Sequence, residues 1–376
     1  MIPLNQNLSA LKRSAIRVYT NLARSVPDCV MLTIGEPDLD TPDAVKAAAC
    51  AAIHADRTHY APNQGTAELR QAVADYETGR GNATLPEQVL ITVGATQALF
   101  TALLGILNPG EEVIIPTPAF SLYETCTTIA GGRAVPLDLT RSSFQIEKEQ
   151  LEALITPKTK AIILNSPNNP TGMVLTQESL ENVKAAINGK PIFLICDNVY
   201  NQLTYGEAVP DLTLDEELQP QTILCQSFSK PWAMTGWRVG YLTCPEYVTD
   251  RLLLLSAAEI AAVPTFLQDA AVTALNTDTA PMREIYRRRR DYVLSRLAQM
   301  GLSFPEPEGA FYVFVNIAKF GMDCDTFCKR MIREAKVAAV PGSCFGAKDY
   351  IRLSYCCSDE DLVKGMDRMA KFIAEL

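Results

Sequence analysis

Short apolar runs alternate with amphipathic stretches through the middle of the chain. The runs at 89–93, 112–115, 161–165, 192–196 and 222–226 are apolar at successive positions rather than at alternate ones. A strand that reads this way is covered on both faces, as in a parallel sheet. Between the runs, 96–107, 121–130 and 178–187 repeat their apolar residues at helical spacing. Strands and helices in alternation predict an α/β architecture, with ligands gathered at the carboxyl ends of the strands. The pattern then changes. A long helical stretch around 269–300 is followed by GAFYVFVNI, a helix over 325–334, YIRLSYC and a final helix over 359–376. This order predicts a smaller α+β domain made of 1–40 with 284–376, and a large domain over 41–283.

Composition narrows the class. A chain of 376 residues, 48% of them apolar, is long enough for two domains around substantial cores. The formal net charge of −9 speaks against a nucleic-acid partner, which calls for a basic face. The 11 cysteines are scattered without a two-pair metal spacing, and only His54 and His59 could add imidazoles, so no metal is expected. Free thiols in a reducing cytoplasm fit this usage better than a disulfide framework. The opening MIPLNQNLSALKRSAIRVY lacks the apolar core of a signal peptide. The greasiest stretch, 252–263, is short of a membrane span and contains Glu259. A cytoplasmic protein without membrane contact is expected. The four arginines at 287–290 fall on a helical pattern and read as a solvated face.

Candidate chemistry sits at the ends of the apolar runs. ILCQSFSK leads from a strand straight into Ser227, Phe228, Ser229 and Lys230, with Arg238 eight residues beyond the lysine. Lysine alone is usually a surface residue. Beside a cation or partly desolvated, it loses proton affinity and can attack a carbonyl. Asp197 ends the run IFLICD, and Tyr200 follows three residues on. A carboxylate there can simply cap a turn, or it can keep a pyridine nitrogen protonated. AIILNSPNNPTG is a turn after a strand, in which Asn169 is a candidate donor. VLITVGATQALF runs from a strand into a helix start, where Ala95 and Thr96 would offer unpaired N–H groups to a phosphate. Arg352 in YIRLSY suits either a structural ion pair or a substrate carboxylate gripped by two hydrogen bonds.

Taken in order, SPNNPTG, DNVY and SFSKPWAMTGWRVG resemble the class I/II aminotransferases, the fold-type-I family related to aspartate aminotransferase. IGEPD, HYAPNQGTAELR, EGAFYVF and VPGSCFG extend the likeness to nearly the whole chain. The resemblance implies a pyridoxal 5'-phosphate enzyme with a mainly parallel seven-stranded sheet in its large domain. It makes Lys230 the imine-forming lysine and proton shuttle, and Asp197 the partner of the pyridine nitrogen. Tyr200 and Asn169 would hold the ring oxygen. Ala95, Thr96, Ser227, Ser229 and Arg238 would form the phosphate cup, and Phe120 would stack on the ring. Arg352, with Gly35 and Asn169, would bind the amino acid. Tyr60 would reach the phosphate of a neighbouring subunit, which implies a homodimer. The expected substrates are an L-amino acid and a 2-oxo acid, used in a ping-pong cycle. No second arginine for a side-chain carboxylate can be assigned, which counts against an aspartate donor and leaves aromatic, aliphatic and acetylated diamino acid (N-acetyl-diaminopimelate type) donors open. Two rivals share the fold: a carbon–sulfur β-lyase, and a non-catalytic regulatory protein.

Overall fold

The computed structural model describes all residues but 1, 3, 4, 12–14, 207 and 208, together with the side chain of residue 15. Seven strands build the main sheet: β1 Val89–Thr92, β2 Glu112–Thr117, β3 Arg133–Asp138, β4 Thr159–Asn165, β5 Phe193–Asp197, β6 Thr222–Ser227 and β7 Gly240–Thr243. Their order across the sheet is β1-β7-β6-β5-β4-β2-β3, and every pairing is parallel except those of β7. Successive residues of β4 show why the runs are apolar throughout. Ala161 and Ile163 pack under the helices Gly94–Ile106, Leu122–Ile129 and Glu246–Ile260, whereas Ile162 and Leu164 pack under Gln177–Ile187 on the other face.

Two of these strands are not among the apolar runs of the sequence. β3 is an edge strand with alternating burial and a proline at 136, and β7 is only four residues long. The direction of β7 sets where its preceding turn lies. Because Gly240 pairs with Ser227 and with Thr92, the chain just before β7 is delivered to the same sheet edge as the carboxyl ends of β1 and β6.

A second sheet is antiparallel, in the order β9-β10-β8, with β8 Tyr312–Asn316, β9 Val340–Pro341 and β10 Tyr350–Ser354. Its core holds Tyr19, Val30 and Leu32 from the beginning of the chain, and Val30–Met31 pairs in parallel with Val337–Ala338. The predicted helix over 269–300 is in fact two, Thr265–Leu275 and Ala280–Gln299. Just before the second, Asp278 accepts from the Ala280 N–H at 2.9 Å, and Pro281 fits a first turn where no N–H is needed. The helix expected over 325–334 is regular only at Cys324–Arg330 and widens into a π turn at Met331–Ala335.

The arginine run also departs from expectation. Arg287 and Arg288 face solvent, but Arg289 is 8% exposed and buried in ion pairs. Arg290 is half-buried, lying over Tyr205 and donating to the Pro307 carbonyl. Four consecutive helical residues span more than one face, so they cannot all be solvated when the helix packs. Among the described residues, no helix is long and apolar enough to cross a membrane, and no group of three or more His, Cys, Asp or Glu side chains is placed to hold a metal.

Candidate active site

The carboxyl ends of β1, β4, β5 and β6, with the turn before β7, surround a cavity of about 280 Å³ that the second sheet closes from one side. Every residue singled out from the sequence lines it except Tyr60. Ala95, Thr96, Ser227, Ser229 and Arg238 stand at one end, with Phe120 on the wall; Asn169, Asp197 and Tyr200 lie deeper; Gly35, Lys230 and Arg352 complete it. Tyr60 is 93% exposed and borders a separate surface hollow with Arg57, His59 and Glu68.

The first end is built for an anion. The helix Gly94–Ile106 starts without a side-chain cap, so its first N–H groups have no partner from that source. Gly94 takes a left-handed φ of +71°, and a side chain there would meet Arg238 Nη2 at 2.7 Å. The glycine is what lets the guanidinium close on the helix start. Arg238 is steadied by the Thr235 carbonyl at 2.9 Å and lies 3.4 Å from Ser229 Oγ. Positive helix end, hydroxyls and guanidinium together suit a phosphate dianion.

Asp197 is buried and accepts from Tyr123 Oη at 2.7 Å. Burial pushes its carboxyl up to about 6, against the opposing hydrogen bonds from Tyr123 and from the Val199 N–H. A carboxylate so desolvated gains most from a cationic or N–H partner in the cavity. The sign gives a test on protein stripped of small molecules. A carboxyl whose folded value lies above its ordinary 3.8 adds stability below about pH 4 that is lost as pH rises through about 6. Relative to Asp197→Asn, the wild type is expected to lose up to about 3 kcal/mol between pH 4 and pH 7. Urea unfolding of both proteins across that interval checks it, and a constant difference overturns it.

Lys230 points its Nζ at the Gly35 carbonyl, 2.6 Å away. Burial lowers its proton affinity, only partly offset by Cys356 and Glu36, while Arg238 and Arg352 lower it further. The neutral, nucleophilic amine is therefore reached at lower pH than for a surface lysine.

Arg352 sits in the central strand β10, sandwiched between the Tyr312 and Phe345 rings at 4.5 and 4.9 Å. Nη1 donates to Asn169 Oδ1 at 2.7 Å and Nη2 to the Thr33 carbonyl at 2.6 Å, while the buried Nε has no partner. Arg352 lines the cavity, and a guanidinium there favours an anionic ligand. The Asn169 N–H in turn donates to Asn165 Oδ1 at 2.9 Å, and Asn165 Nδ2 to the Asp197 carbonyl at 2.8 Å. One run of hydrogen bonds thus links Arg352 to the backbone of Asp197.

Sequence reasoning leaves Tyr123, Tyr312 and Asn165 without roles. Asn165 ends an apolar strand just as Asp197 does, so the same signal could have found it. Tyr312 hydrogen-bonds Tyr200, Oη to Oη at 2.9 Å, and covers Gly35 so closely that a side chain there would fall 1.8 Å from its hydroxyl. Only glycine fits that position. Ile16 and Ile34 also line the cavity, as do Leu99 and Leu122.

The chain matches the model of the family described as aminotransferase class I and II over residues 27–369. It is similar to a probable N-acetyl-LL-diaminopimelate aminotransferase of Bacillus subtilis, at 38% identity covering 98% of this chain and 95% of that protein. It is also similar to aromatic-amino-acid aminotransferase 2 of Thermococcus litoralis, at 38% identity covering 99% and 98%. Among solved structures, aspartate aminotransferase from Thermus thermophilus with maleate superposes with a TM-score of 0.93, at 37% identity over 99% of this chain and 100% of that one.

Proposed function

The chain belongs to the class I and II aminotransferases, and on that footing we propose that it carries pyridoxal 5'-phosphate on Lys230 and prefers L-amino acids with apolar side chains as donors. One observation carries the cofactor assignment: a single cavity joins a phosphate-type cup, a buried acid with a raised proton affinity and a desolvated lysine. Ala95, Thr96, Ser227, Ser229 and Arg238 would hold the phosphate. Asp197 would face the pyridine nitrogen, Tyr200 and Asn169 the ring oxygen, and Phe120 the ring itself. The chemistry the cofactor supplies when bound is an aldehyde that captures an amino group and a ring that accepts an electron pair.

The protein's own part comes from the contacts. Arg352 binds the α-carboxylate and leaves the α-proton within the reach of Lys230. Lys230 Nζ takes that proton as a general base, aided by its lowered proton affinity. Asp197, desolvated and oriented by Tyr123, keeps a proton on the ring nitrogen opposite it. A 2-oxo acid then receives the amino group in the second half of a ping-pong cycle. The aminotransferase family and relatives support amino transfer over the elimination chemistry of a β-lyase and over a purely regulatory role.

The donor preference rests on the walls beside Arg352. Ile16 and Ile34 are aliphatic, and among the described lining residues the only cations are Lys230, Arg238 and Arg352. Placing a second, unpaired carboxylate against such a wall costs more than the roughly 1–3 kcal/mol that protein data give for an unpaired amide or hydroxyl. Protein loaded with pyridoxal phosphate and mixed with a panel of L-amino acids, followed by the cofactor's absorbance in single turnovers, is expected to react about tenfold or more faster with aromatic and aliphatic donors than with aspartate. No reaction with any donor overturns the activity. A preference for aspartate overturns only the side-chain reading.

We also infer a cytoplasmic homodimer in which the exposed Tyr60 reaches the partner's phosphate cup. The unpaired state of all 11 cysteines supports the compartment. The pairing of Val30–Met31 with Val337–Ala338 supports a small domain of 1–40 with 284–376, beside a cofactor domain over 41–283.

A further inference from the structure

The strap formed by residues 33–38 lies across the cavity and supplies backbone acceptors to both of its working cations. The Thr33 carbonyl accepts from Arg352 Nη2 and the Gly35 carbonyl from Lys230 Nζ, each at 2.6 Å. Between them the Ile34 carbonyl accepts from Cys356 Sγ at 3.3 Å. Glu36 Oε1 accepts from Thr235 Oγ1 at 2.6 Å, on the turn whose Thr235 carbonyl also steadies Arg238. Of the strap itself only Thr33 and Pro37 are buried; Ile34 lines the cavity, and Glu36 and Asp38 face outward.

What secures its far end is charge. Both oxygens of Asp38 accept from the guanidinium of Arg289, Nη1 at 2.6 Å and Nη2 at 2.9 Å. The remaining Nε donates to Asp359 at 2.7 Å, at the start of the last helix. The guanidinium is buried in mid-helix, whereas the two carboxylates keep 25% and 74% of their side-chain surface. Burying a cation so is a weak way to gain stability, since an apolar side chain of similar volume often does as well. A bidentate fork does one thing an apolar contact cannot: it sets the position and angle of its partner.

We propose that Arg289, acting through Asp38, is a positioning residue for Lys230 and Arg352, holding the strap whose carbonyls orient both. This deepens the aminotransferase reading and rests on it. The test uses full-length protein loaded with pyridoxal phosphate, in four forms: wild type, Asp38→Asn, Arg289→Lys and Asp359→Asn. Asp38→Asn is expected to raise KM for the amino donor about tenfold and to lower kcat by less, inside the roughly hundredfold that a displacement of about 1 Å can cost. Arg289→Lys keeps the charge but loses the fork, and should fall between Asp38→Asn and wild type. Asp359→Asn leaves the Asp38 fork intact and should keep wild-type KM and kcat even if its thermal midpoint drops.

A merely structural role predicts the opposite pattern, with thermal midpoints falling in all three variants and the kinetic constants of the folded enzyme unchanged. That pattern overturns the proposal, as does an Asp359→Asn variant as impaired in KM as Asp38→Asn. Asp38→Asn is near-isosteric and Arg289→Lys keeps the positive charge, so both leave folded protein to measure. Should wild type itself transfer no amino group, the functional reading fails, and the positioning role fails with it. A wild type that transfers normally beside an Asp38→Asn variant with unchanged constants isolates the failure to the strap.

Discussion

Lys230→Ala is expected to lose covalent attachment of pyridoxal phosphate and to lower kcat by about 10⁴-fold, the upper end of what one positioned acid–base group contributes. Two roles converge on a single nitrogen, which is why the effect is large. The Nζ faces the cavity and is oriented by the Gly35 carbonyl at 2.6 Å. Burial has already lowered its affinity for a proton, so it attacks a carbonyl and later removes a proton at a lower pH than a surface lysine would. No other amine lines the cavity among the described residues. The fold should not suffer, because the substitution removes a partly desolvated cation rather than a packed apolar group. Borohydride reduction followed by peptide mass analysis should find the cofactor's mass on the wild-type peptide containing residue 230 and none on the variant. Turnover within tenfold of wild type, with thermal midpoint unchanged, overturns the assignment of Lys230 as the proton carrier.

Much of this site is legible because a parallel sheet turns sequence order into spatial order. Asp197 and Ser227 each close an apolar run, and β5 and β6 are neighbours, so two sequence signals thirty residues apart meet at one edge. Arg238 belongs there for a reason no periodicity reveals. The antiparallel β7 brings its preceding turn back to that edge, and four residues of strand are too short to announce a direction. Tyr123 and Tyr312 stay hidden for a different reason. Tyr123 lies on the same buried helix face as Cys126 and Thr127, and Tyr312 starts a strand of core residues; an aromatic with a buried hydroxyl looks the same in sequence as one without a partner. Arg289 is misread because the run of four arginines resembles a solvated face, while the helix in fact rotates the third of them into the interior. The first residues are expected to pack on the small domain. What cannot be read is that the Thr33 and Gly35 carbonyls accept from Arg352 and Lys230, since a backbone carbonyl carries no mark in the sequence.

Arg352→Ala is expected to reduce kcat/KM for amino acids by about a thousandfold, the equivalent of about 4 kcal/mol, within the range for truncating one partner of a buried charged hydrogen-bonded pair. Arg352 is 2% exposed, its guanidinium packed on the Tyr312 and Phe345 rings and tied to Asn169 and the Thr33 carbonyl. Its rigidity means that little entropy is lost when a carboxylate arrives, and the unpartnered Nε is a donor already desolvated. The loss should fall mainly on substrates that carry the group it binds. An amine matching the amino acid but lacking its carboxylate should react with wild type and variant at rates within a few-fold of each other. Asn169 supplies a control for indirect damage, because its Oδ1 accepts from Nη1 and loses that donor in the variant. If the amine slows as much as the amino acid does, the substitution has disturbed the Asn169–Asn165–Asp197 run rather than a carboxylate contact, and Arg352 is then structural. Stopped-flow traces of the cofactor band with paired amino acid and amine, in both proteins, separate the two outcomes.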